Sequence, residues 1–177
     1  MREHVTTMIS AEAVAERVKE LAEQITAEYD GAPITLVCVL KGAVIFMVDL
    51  ARMLQGMPVE FDFMDISSYG AGTESSGHIK INKDLEHSVE GKHVLLVEDI
   101  VDSGRTLSHL IQYLNAKNPA SLRLCTLLDK PERRVVDDVC VDYVGFQIPD
   151  KFVVGYGLDY DQRYRNLPYI GVVNFEE

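Results

Sequence analysis

At 177 residues the chain suits one domain with a real core, and 47% hydrophobic against 25% charged residues is an ordinary globular balance. Its net charge of -11 argues against a nucleic-acid backbone as the main partner, because that binding runs on clustered Lys and Arg. Lys41 and Asp49 break the longest apolar runs, and the start Met1-Arg-Glu-His-Val has early acid and no apolar stretch, so neither a membrane span nor a signal peptide is expected. Cys38, Cys125 and Cys140 are widely spaced and odd in number, which suits reduced, mostly buried thiols in a cytoplasmic protein.

In chain order, Ser10 is a good N-cap, and Val14, Val18, Leu21 and Ile25 form one apolar stripe of a helix that should stop near Asp30-Gly31. Ile34–Leu40 is apolar and β-branched, as a strand buried on both faces would be. A loop at Lys41-Gly42 leads to a second helix ending before Gly56 and Pro58. Val59, Phe61 and Phe63 alternate with Glu60 and Asp62, predicting a strand with the acids on its wetter face. Residues 67–78 are a long small-residue stretch that cannot pack a core, followed by a short strand over 79–82. Strands are further predicted over 94–97, 122–128 and 141–148, with a helix from the Ser103–Thr106 turn to about Ala116. This alternation indicates an α/β domain with a mostly parallel, twisted sheet flanked by helices. The aromatic, irregular tail from Pro149 suggests a smaller lobe over the sheet edge.

Chemistry concentrates in His93-Val-Leu-Leu-Val-Glu-Asp-Ile-Val-Asp-Ser-Gly-Arg-Thr106. Ligands of parallel α/β sheets bind beyond the carboxyl ends of the strands. Here an apolar strand ends in Glu98-Asp99, with Asp102 close behind. Ser103, Gly104, Arg105 and Thr106 then open a helix whose hydroxyls and free N–H groups form an anion cradle, Gly104 letting a phosphate approach the main chain. Acids beside such a cradle suit a sugar phosphate, and crowding three of them within five positions is costly without a ligand or metal. There is no GxxxxGK[ST] motif, and Gly70-Ala-Gly72 lacks the context of a dinucleotide fingerprint.

Val97-Glu-Asp-Ile-Val-Asp-Ser-Gly-Arg-Thr106 resembles the phosphoribosyl pyrophosphate signature of type I phosphoribosyltransferases, in the version of the hypoxanthine–guanine enzymes. Other segments fall in that family's order. Leu40-Lys41-Gly42 looks like the pyrophosphate loop, whose peptide at the Leu40–Lys41 position can be cis in relatives. Ser68-Tyr69 resembles the start of the mobile catalytic loop, Lys130 the purine-recognising lysine, and Asp150-Lys-Phe-Val-Val-Gly-Tyr-Gly-Leu-Asp-Tyr160 the base-binding segment, with Arg165 beyond it.

The resemblance implies one domain, with a core of about 10–148 and a hood of about 1–9 and 149–177. It implies transfer of phosphoribose from phosphoribosyl pyrophosphate to hypoxanthine or guanine, giving IMP or GMP and pyrophosphate, with Mg2+ as cofactor, in a homodimer or homotetramer. Asp102 would be the catalytic base, and Asp102 through Thr106 would surround the 5-phosphate. Glu98 and Asp99 would hold ribose or metal, with Asp159 a further metal-side contact. Lys41, Gly42 and Arg165 would take pyrophosphate. Lys130 offers only donors and so suits the O6 acceptor of a 6-oxopurine. Phe152 would stack on the purine, with Val153 and Asp159 beside it. Arg133 and Arg134 both follow Lys130, and either could support Lys41. An RNA-binding regulator on the same fold would need a basic face, which 17 cations against 28 acids disfavour. A magnesium phosphatase would need a nucleophile in a DxDx[TV] setting, and the chain has none. Preference for guanine or xanthine is the nearer alternative.

Overall fold

The structure, a computed structural model, describes residues 2–68 and 79–176. Its helix α1, Ala11–Tyr29, starts where Ser10 Oγ accepts the Ala13 N–H at 3.1 Å. It buries the predicted stripe of Val14, Val18, Leu21 and Ile25, and ends at Asp30 in the left-handed region. Such burial stabilises by roughly 1.5–3 kcal/mol per large apolar side chain before ordering entropy is subtracted. Arg17 ties the helix to the sheet edge, donating from Nε to the Gly145 carbonyl at 2.9 Å and from Nη2 to that of Val144 at 2.7 Å.

A six-stranded sheet takes the order β4-β3-β2-β5-β6-β7, where β2 is Ile34–Leu40, β3 Val59–Ser68, β4 Ile79–Lys83, β5 His93–Val101, β6 Ser121–Asp129 and β7 Tyr143–Gln147. All neighbours run parallel except β4, which is antiparallel to β3 at the edge. Successive residues of β2 serve opposite faces. Leu36 and Cys38 join the core under α1 and α2 (Val44–Met53), while Val37 and Val39 join the core under α3 (Arg105–Asn115). Two-sided burial is why this strand reads as an unbroken apolar run. Cys38 and Cys125 are buried and Cys140 is exposed.

Beside it lies a small antiparallel sheet of order β1-β9-β8, built from Arg2–Ile9, Ile170–Glu176 and Val153–Val154. It joins the two ends of the chain, with Val5 opposite Val173 and Val153 opposite Val172.

Three details differ from expectation. Strand β5 runs on past Val97 to Val101, because β6 keeps pairing with it after β2 stops, and Asp99 is skipped in the register between the pairs Glu98–Thr126 and Ile100–Leu128. Helix α3 starts only at Arg105, with Gly104 at the N-cap (φ 83°). On β3 the expected faces are exchanged at one step, since Asp62 is 3% exposed and Phe61 is 50% exposed. The buried Asp62 carboxylate is satisfied by N–H groups of Phe63 (2.8 Å), Glu86 (3.0 Å) and His87 (3.2 Å), which pin the turn after β4. Replacing Asp62 with Ala leaves those donors unsatisfied, and urea unfolding should show a loss of about 2–4 kcal/mol.

Candidate functional site

The carboxyl ends of β2, β3 and β5 open onto one cleft. Its β5–α3 side is a 280 Å³ cavity lined by Glu98, Asp102, Ser103, Gly104 and Thr106, with Ile66 of β3 opposite. Asp102 directly follows β5, one position before Ser103, so acid and anion cradle share one short turn. The left-handed φ of Gly104 makes that turn possible, and a side chain there would also collide with Arg134 and Val136. Ser103 Oγ accepts the Arg105 N–H at 3.4 Å. Ser68 Oγ lies 3.3 Å from Thr106 Oγ1, which brings the end of β3 to the cradle. Tyr69, expected beside it, lies outside the described residues.

Glu98, which lines the cavity, and Asp99 beside it are half-buried in β5. Burial, and then the neighbouring Asp99 charge, push the Glu98 carboxyl well above its ordinary value. Burial also raises Asp99, reinforced by Asp159 and opposed by the Ile100 N–H and Arg165. Asp99 touches the next segment as well. A Cβ at Gly42 would overlap the Asp99 carboxylate, and a Cβ at Gly157 would overlap the Gly42 carbonyl. The Lys41-Gly42 loop is thus wedged between the strand-end acids and the tail segment. The Leu40–Lys41 peptide is cis and Lys41 is exposed.

Arg165 and Asp159 form a pair at 3.0 Å, with Arg165 Nη1 also donating to the Gly157 carbonyl at 2.7 Å and Asp159 Oδ2 accepting the Gln162 N–H at 2.9 Å. Phe152 is 53% exposed and meets Tyr160 edge to face, centroids 5.6 Å apart. Val153 is buried in β8. Lys130 directly follows β6, its N–H bonded to the Val101 carbonyl at 2.9 Å and its Nζ 3.4 Å from Asp150. Both candidate arginines engage Asp102. Arg133 Nε donates to Oδ1 at 3.0 Å, and Arg134 Nε to the main-chain carbonyl at 3.3 Å while its Nη2 pairs with Asp129. Asp129 carries no local sequence signal, and the partners of Asp150 and Tyr160, Lys130 and Phe152, are met only in the folded chain.

A model of the phosphoribosyl transferase domain matches residues 5–161. The chain belongs to the phosphoribosyltransferase family. It is 52% identical over 175 residues to the hypoxanthine phosphoribosyltransferase of Salmonella typhimurium, covering 98% of this chain and 97% of that protein. It is 54% identical over 169 residues to the bifunctional protein TilS/HprT of Listeria innocua, where it covers 96% of this chain but spans only 26% of the longer protein. Among solved structures, a hypoxanthine-guanine phosphoribosyltransferase of Bacillus anthracis with HEPES in its active site matches with a TM-score of 0.92 at 46% identity, covering 98% of this chain and all of that one. A hypoxanthine phosphoribosyltransferase of Staphylococcus aureus matches with the same TM-score at 47% identity, covering 96% of this chain and 91% of that one. Family and fold therefore agree with the sequence resemblance.

The raised acids have a consequence for stability. Because the folded state holds the Glu98 proton more tightly than the unfolded state does, Glu98 costs the ligand-free fold stability at high pH, a cost that starts to fall below its raised value and is gone below the ordinary carboxylate value of the unfolded chain. Glu98→Gln should therefore raise the Tm of the ligand-free protein at pH 7 while lowering activity. Thermal scans across pH should show the difference from wild type shrinking as pH falls.

Proposed function

We propose that this protein transfers the 5-phosphoribosyl group of phosphoribosyl pyrophosphate to N9 of hypoxanthine, and of guanine, giving IMP or GMP and pyrophosphate in purine salvage. The observation that carries this is the cleft in which Asp102 and the Ser103–Thr106 cradle share one turn, with Lys130 on the neighbouring strand end.

The cradle N–H groups and hydroxyls take the 5-phosphate at the start of α3. Glu98 and Asp99 face the ribose hydroxyls. Asp102 accepts the purine proton as N9 attacks C1, and its charge offsets the positive charge that develops on ribose. Lys130 donates to O6. Adenine would set an amino donor against that donor, which is why it is rejected. Phe152 covers the purine face, with Val153 and Asp159 along its edge. Lys41, the Gly42 main chain and Arg165 receive the leaving pyrophosphate. Ser68 and Tyr69 begin the lid that keeps water from the reacting carbon. The small β1-β9-β8 sheet, with the tail from residue 149, serves as a hood over the core of about 10–148.

Magnesium fits this donor set. Glu98, Asp99 and Asp159 supply hard oxygen ligands whose mutual repulsion a cation relieves. Among the described residues no group of three or more such ligands lies together, so an ion here would be held by one or two of these carboxylates and completed by water and substrate phosphates. When bound, it neutralises charge on the departing pyrophosphate.

No described helix is long and apolar enough to cross a membrane, and the buried thiols suit the cytoplasm. Phe61 shares its β3 face with Phe63, on the α1–α2 side of the sheet, yet remains half-exposed, as do Val48 and Met53 of α2. This apolar face supports self-association into a dimer or tetramer. Phe61→Glu should shift sedimentation toward the monomer, and a monomeric wild type would contradict the assignment.

The enzymatic test is turnover with phosphoribosyl pyrophosphate, magnesium and hypoxanthine, guanine, xanthine, adenine or uracil in turn. Hypoxanthine should react, adenine should not, and Asp102→Asn should lower kcat by about 10²-fold or more. Turnover of adenine or uracil would remove Lys130 from its role. Silence with every base would point to a binding protein instead.

A further inference from the structure

Asp102 and Lys130 both act on the bound purine in the proposed reaction, and the structure joins them through two residues outside that scheme. Arg133 Nε donates to Asp102 Oδ1 at 3.0 Å, Arg133 Nη1 lies 3.5 Å from Asp150 Oδ2, and Asp150 Oδ1 lies 3.4 Å from Lys130 Nζ. Charges alternate along this chain from the base to the lysine.

We propose that Arg133 is a positioning residue for Asp102, and that with Asp150 it ties Asp102 and Lys130 into one purine-reading unit, an inference that rests on the transfer reaction proposed above.

Stability does not account for the arrangement. The side chains of Arg133, Asp150 and Asp102 are 51%, 50% and 46% exposed, and ion pairs so open to water add little to a fold. Lys130 differs, with a side chain only 9% exposed, so its ammonium needs a fixed partner in the folded chain. Asp150 supplies one. The guanidinium fork then reaches both carboxylates at once, whereas an ammonium at this position would have to choose between them. Arg133 engages Oδ1 alone, which leaves Oδ2 of Asp102 for the purine proton.

The same segment also clamps the main chain of the turn. Arg134 Nε holds the Asp102 carbonyl at 3.3 Å, and the Val135 N–H holds that of Ser103 at 3.1 Å. Backbone and carboxylate of the base are therefore set by one strap following β6. A base works only within hydrogen-bond reach of its proton, so loosening this strap acts on the chemical step before it acts on phosphate binding.

Single-turnover and steady-state kinetics with hypoxanthine test this. In Arg133→Gln the single-turnover rate of nucleotide formation should fall about tenfold, while KM for phosphoribosyl pyrophosphate stays within about twofold. The Tm should move by no more than about 2 °C. Asp150→Asn should act mainly on KM for hypoxanthine, through Lys130. The double variant should lose less than the product of the two single losses, because the residues act as one unit. Arg133→Lys should recover only part of the rate. An unchanged single-turnover rate in Arg133→Gln overturns the inference and leaves the transfer reaction standing. Faster turnover in that variant also overturns it, since Arg133 would then be blocking Asp102. A wild type that transfers to no base overturns both, as Asp102 would have no proton to accept.

Discussion

Gly42 has no room for a side chain. The Asp99 carboxylate lies where its Cβ would go, and Gly157 presses on its carbonyl from the other side. Three segments far apart in sequence therefore meet at Gly42, which has no side chain: the loop after β2, the Asp99 carboxylate at the end of β5 and the tail before β9. Contact this close leaves little slack, because neither Gly42 nor Gly157 has a side chain that could absorb a shift. Anything that moves one of these segments moves the acids, the loop cation Lys41 and the Asp159–Arg165 pair together. That coupling is what a reaction needs when a leaving group on one side and an incoming base on the other share one carbon.

The charge of the cleft is arranged against that frame. A chain with a net charge of -11 that binds polyanions must draw attraction from local features. In the proposed reaction these are the start of α3, a few placed cations and the acids themselves, since carboxylates held above their ordinary pKa gain most from a cation. The ligand-free protein thus carries the cost of burying acids at the end of β5.

Much of this was legible in the chain. The stripe from Val14 to Ile25 and the unbroken apolar β2 report local periodicity and two-sided burial, and both appear as expected. The Val97-to-Thr106 segment was legible because its chemistry is contiguous. Elements made by distant pairing were not. Strand β1 is held by β9, over 160 residues away, and its polar alternation resembles an exposed terminus until that partner is known. The extension of β5 beyond Val97 depends on β6 alone. At Asp62 the alternation predicted two faces correctly but not which one was dry, because three backbone donors from the turn after β4 make an acid acceptable inside.

Arg133 lies at the limit of what a sequence can say. Two adjacent arginines after Lys130 were visible, and a role beside the Lys41 loop was the natural expectation. Folding sends both to Asp102 instead, because the turn Pro131–Arg133 reverses the chain and lays Arg134 and Val136 against Gly104. Gly104 thus answers to two constraints, the left-handed turn that opens α3 and the close approach of the strap that holds the base. A glycine in a phosphate cradle is usually explained by the ligand alone. Here Arg134 and Val136 also exclude a side chain, so the proposed cradle and the proposed base Asp102 are packed against one strap.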